Sequence, residues 1–536
     1  MPLIKFGDAR LTTSVALVAV CYTAFYIDHG LDPFDAGLYA TEAWRILDGA
    51  LYGRDFLAPY GPGRYYLIAA FFTIFGTTLK VQAAVFLLCR GLVAALMYRV
   101  SRRYLPAAGA IMLAVAITVA HGALHKSFYQ AVVLLNVAVY LHYRNDRTKA
   151  RCFMAGCVVG IGSLFRVDAG LFGACSWVVL LFLEKLWDRN ERSWHKCWRH
   201  VVAFLSGAAL PTLPVALAVW WLGDLEMVVA AEWQRVANLS RFAGALHQPS
   251  LVHAWARGSF KEGFLALLIL AAPVGLFLLG LRAILIRLRR PWKTSGLDEL
   301  ALVVFGLFAL NQLRITPTFN HLLQAVPLGL IGGTLILWRP LAKSAERGQR
   351  SGVGASRWRH RLVGGLVAFV AAIPTLTLVL FTLLLTSAES VLPGSIRNRW
   401  AFDTAVQGTR AGIYETAPNA AELERVLHHV EVLTRPGDRI LTGPYCPVIY
   451  FLSDRQPAVR FLEPFYYFQN EELQQRMIAA LDASPPALVV LGGPVTSVAG
   501  QSLSRDAPLL YHFIRARYRQ CTWIPSGRYQ IWKRTK

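Results

Sequence analysis

Charge is what this chain has least of. Of its 536 residues, 16% are Asp, Glu, Lys or Arg, against 55% hydrophobic. Soluble globular chains carry about 25% charged residues, so a soluble enzyme is excluded and a polytopic membrane protein is expected. Acid is scarcer than base: 32 Asp and Glu face 55 Lys and Arg, a formal net charge of +23. The basic residues lie mostly in short loops between apolar runs, as cytoplasmic loops do, so no nucleic-acid partner is expected. Paired cysteines are missing as well. The eight are scattered with no CxxC; Cys21, Cys89, Cys152, Cys157 and Cys175 fall in or beside apolar runs, where the thiol behaves as a small hydrophobe. Only Cys446 and Cys521 could meet in a soluble part, and their spacing does not show that they do. There is no GxGxxG, Walker or HExxH pattern. The "LGGP" at 491–494 reads as a turn, and the histidines lack zinc spacing.

What is present is a succession of apolar runs. A span needs about 20 such residues, and eleven are placed near residues 11–28, 79–100, 105–121, 127–143, 151–166, 167–186, 200–222, 260–286, 299–314, 321–338 and 361–386. No small-residue cleavage site follows the first run, which reads as a retained anchor. Every alternate loop is basic: Arg99 to Arg103, Arg144 to Arg151, Lys185 to Arg199, Arg282 to Lys293 and Arg339 to Arg361, together with Lys5 and Arg10 at the N-terminus. These belong in the cytoplasm. The N-terminus is therefore expected inside, and the 29–78 loop, the 223–258 loop and the C-terminal segment outside a cell (inner or plasma) membrane.

The first external loop carries "DPFDAGLYATEAWRILD" at 32–48, an amphipathic helix expected over 35–48. Asp35, Tyr39, Glu42 and Ile46 fall near one of its faces. Asp32 suits a cap before Pro33, Asp48 a solvated end, and Asp35 in the first turn is favoured by the helix dipole. That dipole alone leaves Asp35 open to a structural or a functional role. Asp55, beside Arg54, fits a local ion pair or turn as well as a site. Prolines and glycines at 59–63 make a stiff turn into "RYYLIAAFFTIFG" (64–76), too short to span and aromatic-rich, expected as an interfacial helix. A stiff loop suits a preorganised site. Other ionisable residues gather at outer ends of spans: His121, His125 and Lys126; Arg166 and Asp168; Glu232, Arg235 and Arg241; Arg314, Asn320 and His321. Charges in apolar sequence are functional candidates, although Arg166 and Asp168 could simply pair with each other.

From about residue 388 the pattern changes. "AAELERVLHHVEVL", "NEELQQRMIAALDA" and "APLLYHFIRARY" have helical periodicity; "DRILTG" and "ALVVLGG" read as strands; "CTWIPSGRYQIWKR" reads as a hairpin. The expected organisation is a membrane domain at 1–387 and a small external α/β domain at 388–536.

The order of "FDAGLYATEAWRILDGALYGRDF", a proline-rich turn, "RYYLIAAFFTIFG", a span ending "RVSRRY" and then "GIGSLFRVDAGLF" resembles the GT-C integral-membrane glycosyltransferases. Specifically, it resembles bacterial relatives of the protein O-mannosyltransferases and of the lipid A aminoarabinose transferases. The resemblance implies a polytopic α-helical GT-C fold that takes a hexose or pentose from a polyprenyl-phosphate donor. The acceptor would be a glycan, lipid or protein hydroxyl on the external face. It maps the family's catalytic acid onto Asp35. In many members a second acid follows directly; here Ala36 does, so a bound Mg or Mn is not favoured and no metal ligand is assigned, although Glu42 or Asp55 could supply a second carboxylate.

The chemistry fits. A carboxylate takes the proton of an acceptor hydroxyl, and a departing lipid phosphate needs positive charge more than an acid. Arg166, Lys126 and Arg64 are candidates for that charge, and Glu42, Asp55, Asp168 and His321 for further contacts with the donor. Single displacement with inversion is expected. A transporter or flippase of lipid-linked sugars is the main alternative, but no internal repeat is found and the acids lie at one face instead of at mid-membrane. A non-catalytic envelope scaffold is the third.

Overall fold

A computed structural model describes residues 6–120, 124–187, 194–245, 274–286, 296–315, 323–336, 338, 398–492, 502–523 and 528–535. His121, His321 and the expected span at 361–386 lie outside these, as does all of 339–397. The chain divides into two compact units. The first holds residues 1–25, 87–213 and 248–395; the second gathers 26–86, 214–247 and 396–536.

The helices follow the apolar runs. They are α1 (Phe6–Ala24), α2 (Asp35–Leu47), α3 (Gly63–Phe75), α4 (Leu79–Arg102), α5 (Ala107–Val119), α6 (Ser127–Asn145), α7 (Lys149–Phe165), α8 (Val167–Trp187), α9 (Trp194–Leu222) and α10 (Leu225–Ala245). Three more follow at Val274–Ile286, Leu297–Ile315 and Pro327–Ile336. Among the described residues three helices are long and apolar enough to cross a membrane unaided: Leu79–Arg102, Val167–Leu186 and Trp194–Leu222.

In the first unit α7 and α9 approach closely because both present glycine. A Cβ on Gly156 would lie 2.0 Å from the carbonyl oxygen of Phe204, and one on Gly207 equally near that of Phe153. Small residues let helix backbones touch in this way, and dispersion then replaces the hydrophobic drive that lipid cannot supply. Buried charge in this unit is compensated. Arg90 donates to Gln130 Oε1 at 2.6 Å and to the Ile117 carbonyl. Arg144 lies 3.4 Å from Glu184 and 3.5 Å from Asp298, which also holds Arg103 at 2.8 Å.

The second unit is built on a five-stranded mixed sheet, ordered β4-β3-β5-β7-β6. Its strands are β3 (Arg439–Gly443), β4 (Gln456–Pro457), β5 (Leu488–Gly492), β6 (Tyr518–Trp523) and β7 (Tyr529–Arg534), while β1 (Thr404–Ala405) and β2 (Tyr414–Glu415) pair separately. β3 runs parallel to β4 and β5, and β7 antiparallel to β5 and β6. Helices Ala417–Leu433, Glu471–Ala483 and Pro508–Arg517 fall where the periodicity places them. β6 and β7 form the expected hairpin pair. Cys446 and Cys521 are both free thiols, the first buried and the second exposed.

Candidate active site

The acidic helix α2 starts where its caps say it should. Asp32 Oδ1 accepts the backbone N–H groups of Phe34 and Asp35, each at 3.0 Å, which satisfies donors that helix geometry leaves open. The helix stops at Gly49, which turns back with φ +88°. Leu38, Tyr39, Ala40, Thr41, Glu42 and Ala43 are buried. Asp35, in the first turn, is half-buried, and its Oδ1 lies 3.4 Å from the Tyr39 hydroxyl one turn on. The Asp32 and Asp35 carboxylates have oxygens within 4.8 Å of each other. Hard divalent cations take such oxygen donors, but Asp32 already spends one oxygen on the cap.

α2 is held from outside its own sequence by the turn after β3. Gly37 sits against the Val448 backbone, so close that a Cβ would lie 2.1 Å from the Val448 nitrogen. Val448 N–H donates to the Pro33 carbonyl at 3.2 Å and Thr41 Oγ1 to the Pro447 carbonyl at 3.1 Å. Phe34 meets Tyr445 edge-on at 5.2 Å. Glycine is required at 37 because two backbones meet there with no room for a methyl group.

Arg64 opens α3 and is fully buried. Its guanidinium lies over two rings, 4.6 Å from the centre of Tyr60 and 5.1 Å from that of Tyr39, the geometry of a cation–π contact. Tyr60 has φ +82° in the stiff turn, a conformation non-glycine residues hold only when the surroundings impose it. The Arg235 guanidinium also lies against this ring, 5.9 Å from its centre. Arg235 pairs with Glu232 at 2.9 Å and lies 3.9 Å from Glu463, so this cation is neutralised within the unit.

The remaining candidates are placed as follows. Glu42 is fully buried, bonded through Oε2 to Arg45 at 3.0 Å, and its Oε1 has no hydrogen-bond partner among the described residues. Burial raises its pKa to about 7, against the opposing pull of Arg45. Asp55 bridges Arg54, at 2.7 Å, and the Leu51 N–H, at 2.8 Å, and the Arg54 contact holds its carboxyl below the usual range. The local ion pair expected as one reading is therefore present. In the first unit Arg166 and Asp168 form a two-point pair at 2.7 and 2.9 Å, with Arg166 also over the Tyr129 ring at 5.1 Å. Lys126 is buried in a single 3₁₀ turn in that unit. The sequence names Arg235 among the ionisable residues at outer ends of spans but not its place beside Tyr60, and it does not set Asp32 beside Asp35. Asp32 reads there as a cap alone, and apart from Glu232 the contacts of Arg235 with Glu463, Tyr60 and Tyr466 are long-range.

The architecture as a whole matches solved structures. ArnT from Cupriavidus metallidurans in the apo state aligns over 98% of this chain and 97% of that one, with a TM-score of 0.53 and 14% identity. The chain shares the GT-C fold. ArnT bound to undecaprenyl phosphate gives 98% of both chains, a TM-score of 0.51 and 15% identity. The archaeal oligosaccharyltransferase AglB from Archaeoglobus fulgidus, in complex with an inhibitory peptide and a dolichol-phosphate, aligns over 99% of this chain and 75% of that one. Its TM-score of 0.49, at 14% identity, adds nothing to the fold assignment. By sequence, no protein-family model and no curated protein matches.

Proposed function

We propose that the protein is a membrane glycosyltransferase that moves a sugar from a polyprenyl-phosphate donor to an acceptor hydroxyl, with Asp35 as general base. The observation that carries this is Asp35 itself: a half-buried carboxylate at the first turn of a buried helix, fixed by a capping acid below and a backbone clamp at Gly37. The GT-C fold, shared with an ArnT structure that holds undecaprenyl phosphate, supports the class of donor.

The acceptor O–H gives its proton to the Asp35 carboxylate as its oxygen attacks the anomeric carbon. The bond from that carbon to the phosphate oxygen breaks, and polyprenyl phosphate leaves with the electron pair. One displacement inverts the anomeric centre. The Tyr39 hydroxyl, beside Asp35, orients the base. Arg64 supplies positive charge for the departing phosphate, its plane set by Tyr39 and Tyr60; Lys126 and Arg166 are proposed as further donor contacts. The protein is read as a multi-pass protein of the cell membrane with a cytoplasmic N-terminus, the Asp35 helix and the C-terminal sheet lying outside.

The test is purified protein in vesicles with polyprenyl-phosphate hexose or pentose, following loss of donor. General-base catalysis contributes about 10²–10⁴-fold, so Asp35→Asn should reduce turnover by at least 10²-fold with its melting temperature kept. Equal turnover in Asp35→Asn removes the base assignment; no consumption across a panel of sugars removes the enzyme reading.

A further inference from the structure

Helix α10 is built the wrong way round for water. A helix at an aqueous surface turns its apolar stripe inward and its charged face outward. Here the inward face sets Glu232, Arg235 and Asn238 among the buried Met227, Val228 and Ala231, and these polar groups are engaged with the protein. Asn238 Nδ2 donates to the carbonyls of Phe465 and Phe468 at 2.8 and 2.6 Å. Glu232 accepts from the Tyr466 hydroxyl and pairs with Arg235, whose guanidinium is enclosed by Tyr60 and Tyr466. The outward face carries an apolar stripe, with the exposed Glu226 at its edge: Leu225, Val229, Trp233 and Val236 are exposed, Val229 by 60% and Trp233 by 78%. At 3.6 residues per turn these four share an arc of about 80°.

The helix before α10 in the chain is also apolar on its exposed side. α9 is long and apolar enough to cross a membrane. Its last turns, in the same compact unit, expose Leu217, Trp220, Trp221 and Leu222, with Trp221 81% exposed. Only Gly223 and Asp224 separate the two helices, and Asp224 Oδ1 caps α10 by accepting from Met227 N–H at 3.0 Å. The chain therefore turns a capped corner at the end of a span and runs on with tryptophan still outermost, and tryptophan is the side chain favoured at the headgroup level.

We infer that α10 lies in the bilayer interface at that end of α9, with Leu225, Val229, Trp233 and Val236 seated in a phospholipid monolayer. Its polar face then serves the protein instead of the water, and lipid holds from outside the helix that stacks Arg235 on Tyr60. This surface assignment is independent of glycosyl transfer and survives if that reading fails.

The experiment uses the full chain in nanodiscs of phosphatidylcholine and phosphatidylglycerol. Emission of the Trp233→Phe protein is subtracted from that of the unaltered protein, which isolates Trp233 from the other tryptophans. The difference emission should be quenched at least threefold more by lipid brominated near the headgroup end of its chains than by aqueous iodide. Quenching by iodide alone would place Trp233 in water and overturn the inference. Protection from both would place it under protein, a second copy included, and overturn it equally. Moving the reporter one turn, as Val229→Trp in the Trp233→Phe background, should restore the lipid-quenched signal if the whole face is seated, and an iodide-quenched signal there refutes it.

Discussion

Adding one methyl group at Gly37 should uncouple the acidic helix from the domain that holds it. The Cβ of Gly37→Ala would sit 2.1 Å from the Val448 nitrogen and 2.5 Å from its Cα. Both sides of the contact are backbone, so no side chain can swing away. Restoring an ordinary contact of 3.4 Å requires about 1.3 Å of separation. That movement strains the Val448-to-Pro33 and Thr41-to-Pro447 hydrogen bonds, at 3.2 and 3.1 Å. Overpacking of this kind costs about 1–3 kcal/mol and each hydrogen bond about 1 kcal/mol, so destabilisation of about 3 kcal/mol is expected. Asp35 lies half a turn away on the same rigid helix. A shift of about 1 Å in a reacting group costs about 10²-fold in rate, so donor turnover should fall by that factor in protein that is still folded. The assay pairs donor consumption with thermal unfolding in detergent. Thr41→Val is the control: it removes one clamping hydrogen bond and no space, and should cost about 1 kcal/mol with little loss of rate. Gly37→Ala that melts and turns over like the unaltered protein would refute the clamp.

Two further outcomes follow from the same helices. Glu42 has its folded pKa raised to about 7, so the folded state holds more protons than the unfolded one between about pH 4.5 and 7. Stability should therefore fall across that window, by about 3 kcal/mol in all; Glu42→Gln should flatten the melting-temperature profile there, and an unchanged slope assigns it to another group. Arg64→Lys keeps the charge but loses the planar stacking on Tyr39 and Tyr60, and the KM for donor should rise about 10-fold, since each such contact is worth about 0.5–2 kcal/mol; an unchanged KM removes Arg64 from the donor site.

The helices were legible because their signals are local. Asp32-Pro33 before α2 and Gly49 after it bracket a run of helical period, and the observed helix ends within one residue of the one expected. The strands β3 and β5 could be read between prolines and glycines in the same way. What local pattern cannot carry is which distant segments meet. Thr41 and Pro447 are 406 positions apart, and no periodicity says that the 26–86 loop, the 214–247 corner and the C-terminal sheet form one compact unit. α10 shows the consequence. In "LEMVVAAEWQRVANLS" apolar residues fall on both sides of the helix, so only the partners of Asn238 and Arg235 decide which side faces out.

Asp32 and Asp35 show the limit more sharply. By sequence the two acids separate cleanly, one a cap and the other a candidate base, because a cap is defined three residues from its target. The structure keeps the cap and brings the two carboxylates within 4.8 Å. The same carboxylate that fixes the start of α2 therefore also lies beside that of Asp35. That proximity comes from a residue whose sequence role is purely structural, because a cap is read from chain spacing whereas a neighbouring carboxylate is found only once the side chains are placed.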